Sequence, residues 1–276
     1  MQLNKLSVIL SAGVLALSLS FASYSEESRL QRIKTNEELR VSVNNDLEIL
    51  SMQDSKTGDY IGLEPTLARM IAKEIGDKVS VTFITTTPTN RDNMLEIDYA
   101  DCMIGTYTIT EERKQKYDLS SPYFITNISV LVNKNTNIDS VKDLVGKKIG
   151  VIQNATAALE LVKYMVSKGI IAKEEFDEKT FSADSWNNKI SFVSYDTNEA
   201  VMEAMEENDV QGFCNDRIIL LPHLDVNKKI LKDEFAPQAY GIVTPKGSDL
   251  SPFIDNLIKK WKDDGTLDRI VEENLR

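Results

Sequence analysis

The stretch Thr106-Tyr-Thr-Ile-Thr-Glu-Glu-Arg113, followed by Ser121-Pro122-Tyr123, holds the densest set of ligand-gripping groups in the chain. Thr106 and Thr108 stand two residues apart, and Arg113 follows seven residues after the first. Hydroxyl and backbone oxygens can hold an ammonium, while a planar guanidinium can grip a carboxylate through two parallel hydrogen bonds. The combination suits a zwitterion. Thr110-Glu-Glu-Arg113 also reads as a helix start capped by a hydroxyl, so these residues alone leave both readings open.

Other chemistries are thinly provided. His223 is the single histidine. It rules out two-histidine metal motifs, offers one imidazole for a triad, and reads as structural beside its apolar neighbours. No glycine-rich loop has nucleotide-binding spacing, and no cofactor or metal is expected. Cys102 and Cys214 each sit in an apolar, strand-like run and are expected to be buried free thiols rather than a disulfide. The formal charge is −11, with no basic stripe, which argues against nucleic acid as a partner.

The elements that must position these groups alternate as in an α/β protein. The chain begins with a leader pattern: Lys5, then an apolar run from Leu6 to Ala22 that ends in small residues, with no cysteine nearby for a lipid anchor. Residues 1–25 are therefore expected to be a removable signal peptide. Leu39–Val43 alternates like a strand. Leu67, Met70, Ile71 and Ile75 share a helical face between Pro65 and Gly76. Val79–Ile84 reads as a strand, and another around Cys102 delivers Thr106. After the run Ser129–Asn133 and a polar linker the pattern restarts. Strands are expected at 148–152, 191–194 and 211–214, with helices at 157–166 and 198–206. This echo suits two lobes better than one continuous sheet. Residues 167–189 read as an irregular excursion, Gln238–Thr244 as one strand returning across the boundary, and Phe253–Leu275 as helix interrupted at Asp264-Gly265.

On these features the chain resembles the periplasmic solute-binding proteins of polar amino-acid ABC importers (family 3). The likeness runs from about Arg29 to the C-terminus. It is carried by Thr106–Arg113 with Ser-Pro-Tyr123, by Lys148-Ile-Gly-Val-Ile-Gln-Asn-Ala-Thr156, and by Phe235-Ala-Pro-Gln-Ala-Tyr-Gly-Ile-Val-Thr244. The last motif, with Asn90-Arg91, is similar to aspartate- and glutamate-binding members. The resemblance implies a type II periplasmic-binding-protein fold with two lobes, each a mixed sheet flanked by helices, joined by two hinge strands. Lobe 1 would comprise 26–128 with 241–276, and lobe 2 would comprise 129–240.

The resemblance also implies roles. Arg113 would grip the α-carboxylate, helped by Thr156 at a helix start. Thr106 would offer a carbonyl and Thr108 a hydroxyl to the α-ammonium, which Asp216 would complete from the second lobe. Arg91 would reach a side-chain carboxylate. Asn44 stands where some acidic binders carry a lysine, and Tyr240 falls among the ligand-binding positions. Three departures stand out. Gly62-Leu63-Glu64-Pro65 replaces an aromatic cover with an aliphatic one, Asn198 replaces a tyrosine, and the 167–189 stretch is longer than usual. The expected protein is monomeric and periplasmic, not an enzyme, and delivers a polar, acidic amino acid to an ABC permease. The alternatives are a same-fold enzyme resembling cyclohexadienyl dehydratases, with Glu64 as the nearby acid, and an amino-acid-binding sensor or adhesin.

Overall fold

The computed structural model describes residues 28–275, so the expected leader lies outside the described residues. Helix α1 (Arg29–Asn36) leads into β1 (Glu38–Val43). A small antiparallel sheet of β2 (Asp46–Leu47), β3 (Ser51–Gln53) and β4 (Tyr60–Ile61) follows. Then come α2 (Leu63–Ile75), β5 (Ser80–Thr85), α3 (Arg91–Glu96), β6 (Cys102–Met103), α4 (Glu111–Lys116) and β7 (Tyr117–Leu119). The chain crosses to a second sheet through β8 (Phe124–Asn133). It continues with β9 (Lys148–Ile152), α5 (Ala157–Ser167), β10 (Asn187–Asn188), β11 (Ile190–Tyr195), α6 (Asn198–Glu206), β12 (Gly212–Asp216), α7 (Arg217–Leu220) and β13 (Lys228–Ile230). It returns through β14 (Phe235–Tyr240) to β15 (Val243–Pro245), α8 (Leu250–Asp263) and α9 (Thr266–Asn274).

The first large sheet has the order β5-β1-β6-β15-β7, and the second has β10-β11-β9-β12-β8-β13 with β14 also on β8. Both are mixed. β1 runs parallel to β5 and β6, and β9 runs parallel to β11 and β12, whereas β8, β14 and β15 pair antiparallel. The α/β reading with two mixed sheets holds. Leu39, Val41 and Val43 of β1 are buried beneath the apolar face of α2, where Leu63, Leu67, Ala68, Ile71 and Ile75 recur every three or four residues. Ala157, Leu161, Val162 and Met165 of α5 cover the second sheet in the same way. One core cluster crosses between the sheets: Ile218 and Ile219, at α7, lie beside Leu47 and Leu50 and belong to the same buried cluster as β1 and α2.

Some expectations need correction. The single strand expected over Gln238–Thr244 is two strands in different sheets. The break falls at Gly241-Ile242, where the chain changes sheet. A Cβ on Gly241 would stand 2.9 Å from Ile109 Cγ1 and 3.2 Å from the Ser120 carbonyl, so only glycine allows this approach. The two crossing segments bond each other, Ser120 N–H to the Ile242 carbonyl and Tyr123 N–H to the Tyr240 carbonyl, both at 2.9 Å. The run at Ser129–Asn133 is the second half of the ten-residue β8, whose first half, Phe124 to Ile128, pairs with β14. The excursion is irregular as expected, pinned by edge contacts among Phe176, Phe181, Trp186 and Phe192. Both cysteines are free and buried. Among the described residues no helix is long and apolar enough to cross a membrane.

Candidate ligand-binding site

A cavity of about 280 Å³ lies between the two sheets. Its walls are the segments that follow strands. Asn44 to Leu47 follow β1, Thr86 to Pro88 follow β5, Thr106 follows β6, Ala155 and Thr156 follow β9, and Asp196 to Glu199 follow β11. Asp216 ends β12. Parallel strands deliver their carboxyl ends to one side of a sheet, and the loops there converge into a site. Two sheets facing one another do this twice around the same space.

Thr106, Thr108, Arg113, Thr156, Asp216, Arg91 and Asn44 all line this cavity. Thr110 caps α4, its Oγ1 accepting from the Arg113 N–H at 3.2 Å, so the helix-start reading of this stretch holds. Arg113 Nη1 donates to the Thr108 carbonyl at 2.9 Å. Its Nη2 reaches across the cleft to the Asn154 carbonyl at 3.3 Å. The Arg113 and Arg91 guanidiniums lie 4.0 and 4.6 Å from the centroid of the same Tyr107 ring. Arg91 is buried and donates to the Gly105 carbonyl at 2.7 Å, while its Nε has no hydrogen-bond partner among the described residues. Burial first, then the neighbouring Arg113 charge, lowers its pKa to about 10. An anion in this cavity would relieve that repulsion.

Asp216 faces the arginines from the other sheet. Burial raises its pKa from 3.8 to about 6, against the opposing pull of a hydrogen bond from the Tyr240 hydroxyl and of the two guanidiniums. Tyr240 is therefore not a wall of the cavity but stands behind Asp216, which corrects its expected place among the ligand contacts. Thr156 precedes α5, and its hydroxyl donates to Gln238 Oε1 at 2.7 Å. Asn44 Nδ2 lies 3.4 Å from Thr106 Oγ1. Leu63, expected as an aliphatic cover, is instead wholly buried in the first core, because the first turn of α2 points it inward. Its neighbour Glu64 lies outside the cavity wall. It accepts from the Thr106 N–H at 2.7 Å and the Tyr123 hydroxyl at 2.6 Å, holding Thr106 in a left-handed conformation at φ 48°. Burial raises its pKa.

Sequence reading missed Asn215 and the rim carboxylates Asp46, Asp196 and Glu199, and it noted Asn198 only as a departure. The available signal was position: each follows or ends an expected strand, where α/β sites assemble. His223 lies outside this cavity, and burial lowers its pKa.

With this geometry in place, comparison gives the class. Residues 39–276 match the bacterial extracellular solute-binding proteins, family 3, and the chain belongs to that family. The fold is accordingly the type II periplasmic-binding-protein fold. Among relatives, the chain is 29% identical over 256 residues to the ABC transporter glutamine-binding protein GlnH of Bacillus subtilis (strain 168), covering 91% of this chain and 86% of that one. It is 28% identical over 271 residues to the L-cystine-binding protein TcyJ of Escherichia coli (strain K12), covering 95% and 92%. A solved structure of an ancestral amino-acid-binding protein, a precursor of cyclohexadienyl dehydratase, superposes with a TM-score of 0.73 at 25% identity, covering 90% of this chain and 100% of that one.

Proposed function

We propose that this chain captures a polar amino acid outside the cytoplasm and hands it to an ABC importer, its chemistry limited to capture and release. The observation that carries the reading is the pairing of Arg113 and Asp216 across one cavity, with Thr106 and Thr108 beside them. The guanidinium and the start of α5 suit an α-carboxylate, and the carboxylate and threonine oxygens suit an α-ammonium. Residues 26–128 with 241–276 form lobe 1 in this reading, 129–240 form lobe 2, and the crossing segments are the hinge. Capture would close the lobes, and the closed shape would be what a permease recognises.

For the side chain we propose an uncharged polar group. Asn44 lines the cavity with an amide that can donate and accept, and the exposed carboxylates Asp46, Asp196 and Glu199 at its rim would repel an acid. The relative named for glutamine accords with this. A second reading, an acidic amino acid, is favoured by the unpartnered Arg91 Nε. A calorimetric screen of the purified protein against the amino acids separates the two. Tightest binding to glutamine, asparagine or another neutral polar ligand supports the first reading, tightest binding to aspartate or glutamate supports the second, and no binding to any of them refutes both.

A further inference from the structure

Arg113 already spans the cleft at the carboxylate end of the site. The ammonium end has a second span. Asn198, buried at the first position of α6, donates through Nδ2 to Asp46 Oδ2 at 3.3 Å, and Asp46 belongs to β2, which follows the first strand of the other sheet. Asn198 Oδ1 accepts from Asn215 Nδ2 at 3.2 Å, and Asn215 Oδ1 in turn accepts from the Asp216 N–H at 2.8 Å. Three consecutive hydrogen bonds thus run from one lobe's rim to the strand end that presents the Asp216 carboxylate.

We propose that Asn198 is a positioning residue that couples lobe closure to the placement of Asp216. The inference rests on the amino-acid-binding reading. A primary amide is the group this position needs, because it donates on one side and accepts on the other. A carboxylate would accept from Asn215 but could not donate to Asp46. The flanking residues supply no substitute. Asp196 and Glu199 are exposed acids on the same rim, and Thr197 Oγ1, which caps α6 by accepting from the Ala200 N–H at 3.2 Å, makes no hydrogen bond to Asp46. Without the Asn198 donor, closure would bring acids on one lobe towards Asp46 on the other. The two spans also differ in what happens on binding. A bound carboxylate draws on Arg113, whereas the Asn198–Asp46 bond remains free to hold the lobes together.

The test is a charge-and-donor swap. Asn198→Asp keeps the acceptor for Asn215, removes the donor to Asp46 and places an acid where a helix start tolerates one, so the fold is retained. Adding Asp46→Asn restores a donor–acceptor pair in reverse. Spin labels on Lys78→Cys and Lys142→Cys, one on each side of the cleft, read lobe separation, because Cys102 and Cys214 are buried. We expect Asn198→Asp to shift the ligand-free distances outward, and the double variant to bring them back. Affinity for L-glutamine should fall about tenfold in the single variant and recover in the double, the scale of losing one hydrogen bond to a charged group. Parent-like distances in Asn198→Asp, or a double variant as open as the single, would overturn the proposal. If the parent binds no amino acid, the binding reading falls, while the ligand-free distances still decide the Asn198 bridge.

Discussion

Asp216 pays for its position in protons. Its carboxyl, ordinarily near 3.8, is raised to about 6 by burial, so the native state holds a proton that the unfolded chain has already released between those values. The sign follows: the contribution of Asp216 to stability is fully present below about pH 4, declines as pH rises through 6, and is lost above it. A shift of roughly two units corresponds to about 3 kcal/mol. Asp216→Asn should therefore unfold at higher urea than the parent at pH 8, with the gap closing near pH 4, yet bind amino acids more weakly. Calorimetry across the same range should show the parent's affinity falling as pH drops below about 6, because an ammonium needs the ionised carboxylate. A parent no less stable at pH 8 than its asparagine variant would contradict this. Arg113 makes the complementary case. Arg113→Ala should remain folded and lose about 2–5 kcal/mol of binding, measured by titration, with lysine a poor replacement because it lacks the planar fork.

The turns that aim these side chains depend on helix α2. Its N-terminus at Gly62 has φ 113°, and a Cβ there would lie 2.7 Å from the Leu50 carbonyl. Gly62→Ala should lower stability by about 1–3 kcal/mol, read from the urea midpoint. It should also weaken ligand binding, because Glu64 at the same helix start holds Thr106 in place. Periodicity makes α2 and α5 legible from the residue order alone, since a buried face repeats every three or four residues. The Thr106–Arg113 stretch is legible for a similar reason, its groups being close in sequence. The amide chain from Asp46 to Asp216 is not, because |i−j| between Asn198 and Asp46 is 152, and no local pattern joins residues so far apart. The break at Gly241 is hidden for a related reason: an apolar run does not say which sheet each half will join. Leu63 reads as a ligand cover only while its motif is taken without the direction of the first helical turn.

The two sheets do not divide the hydrophobic core cleanly between them. Ile218, on the helix after Asp216, sits in the core that also holds α2 and β1. Ile218→Ala should cost about 2–4 kcal/mol and spread the inter-lobe distances measured with the same pair of labels. In the parent, urea should give a single cooperative transition by circular dichroism and by tryptophan fluorescence alike. Non-coincident transitions would mean that the two sheets unfold independently and that Ile218 does not join them. That shared packing also has a mechanical consequence. Two crossing strands alone would leave the halves free both to bend and to rotate about the strand axis. A side chain packed into the shared core would resist rotation more than bending, which would leave the molecule with one easy coordinate. If the lobes close on ligand as proposed, motion along one coordinate would reach the same end point each time, and a membrane partner would meet two distinct outlines, filled and empty, that it could tell apart without touching the amino acid.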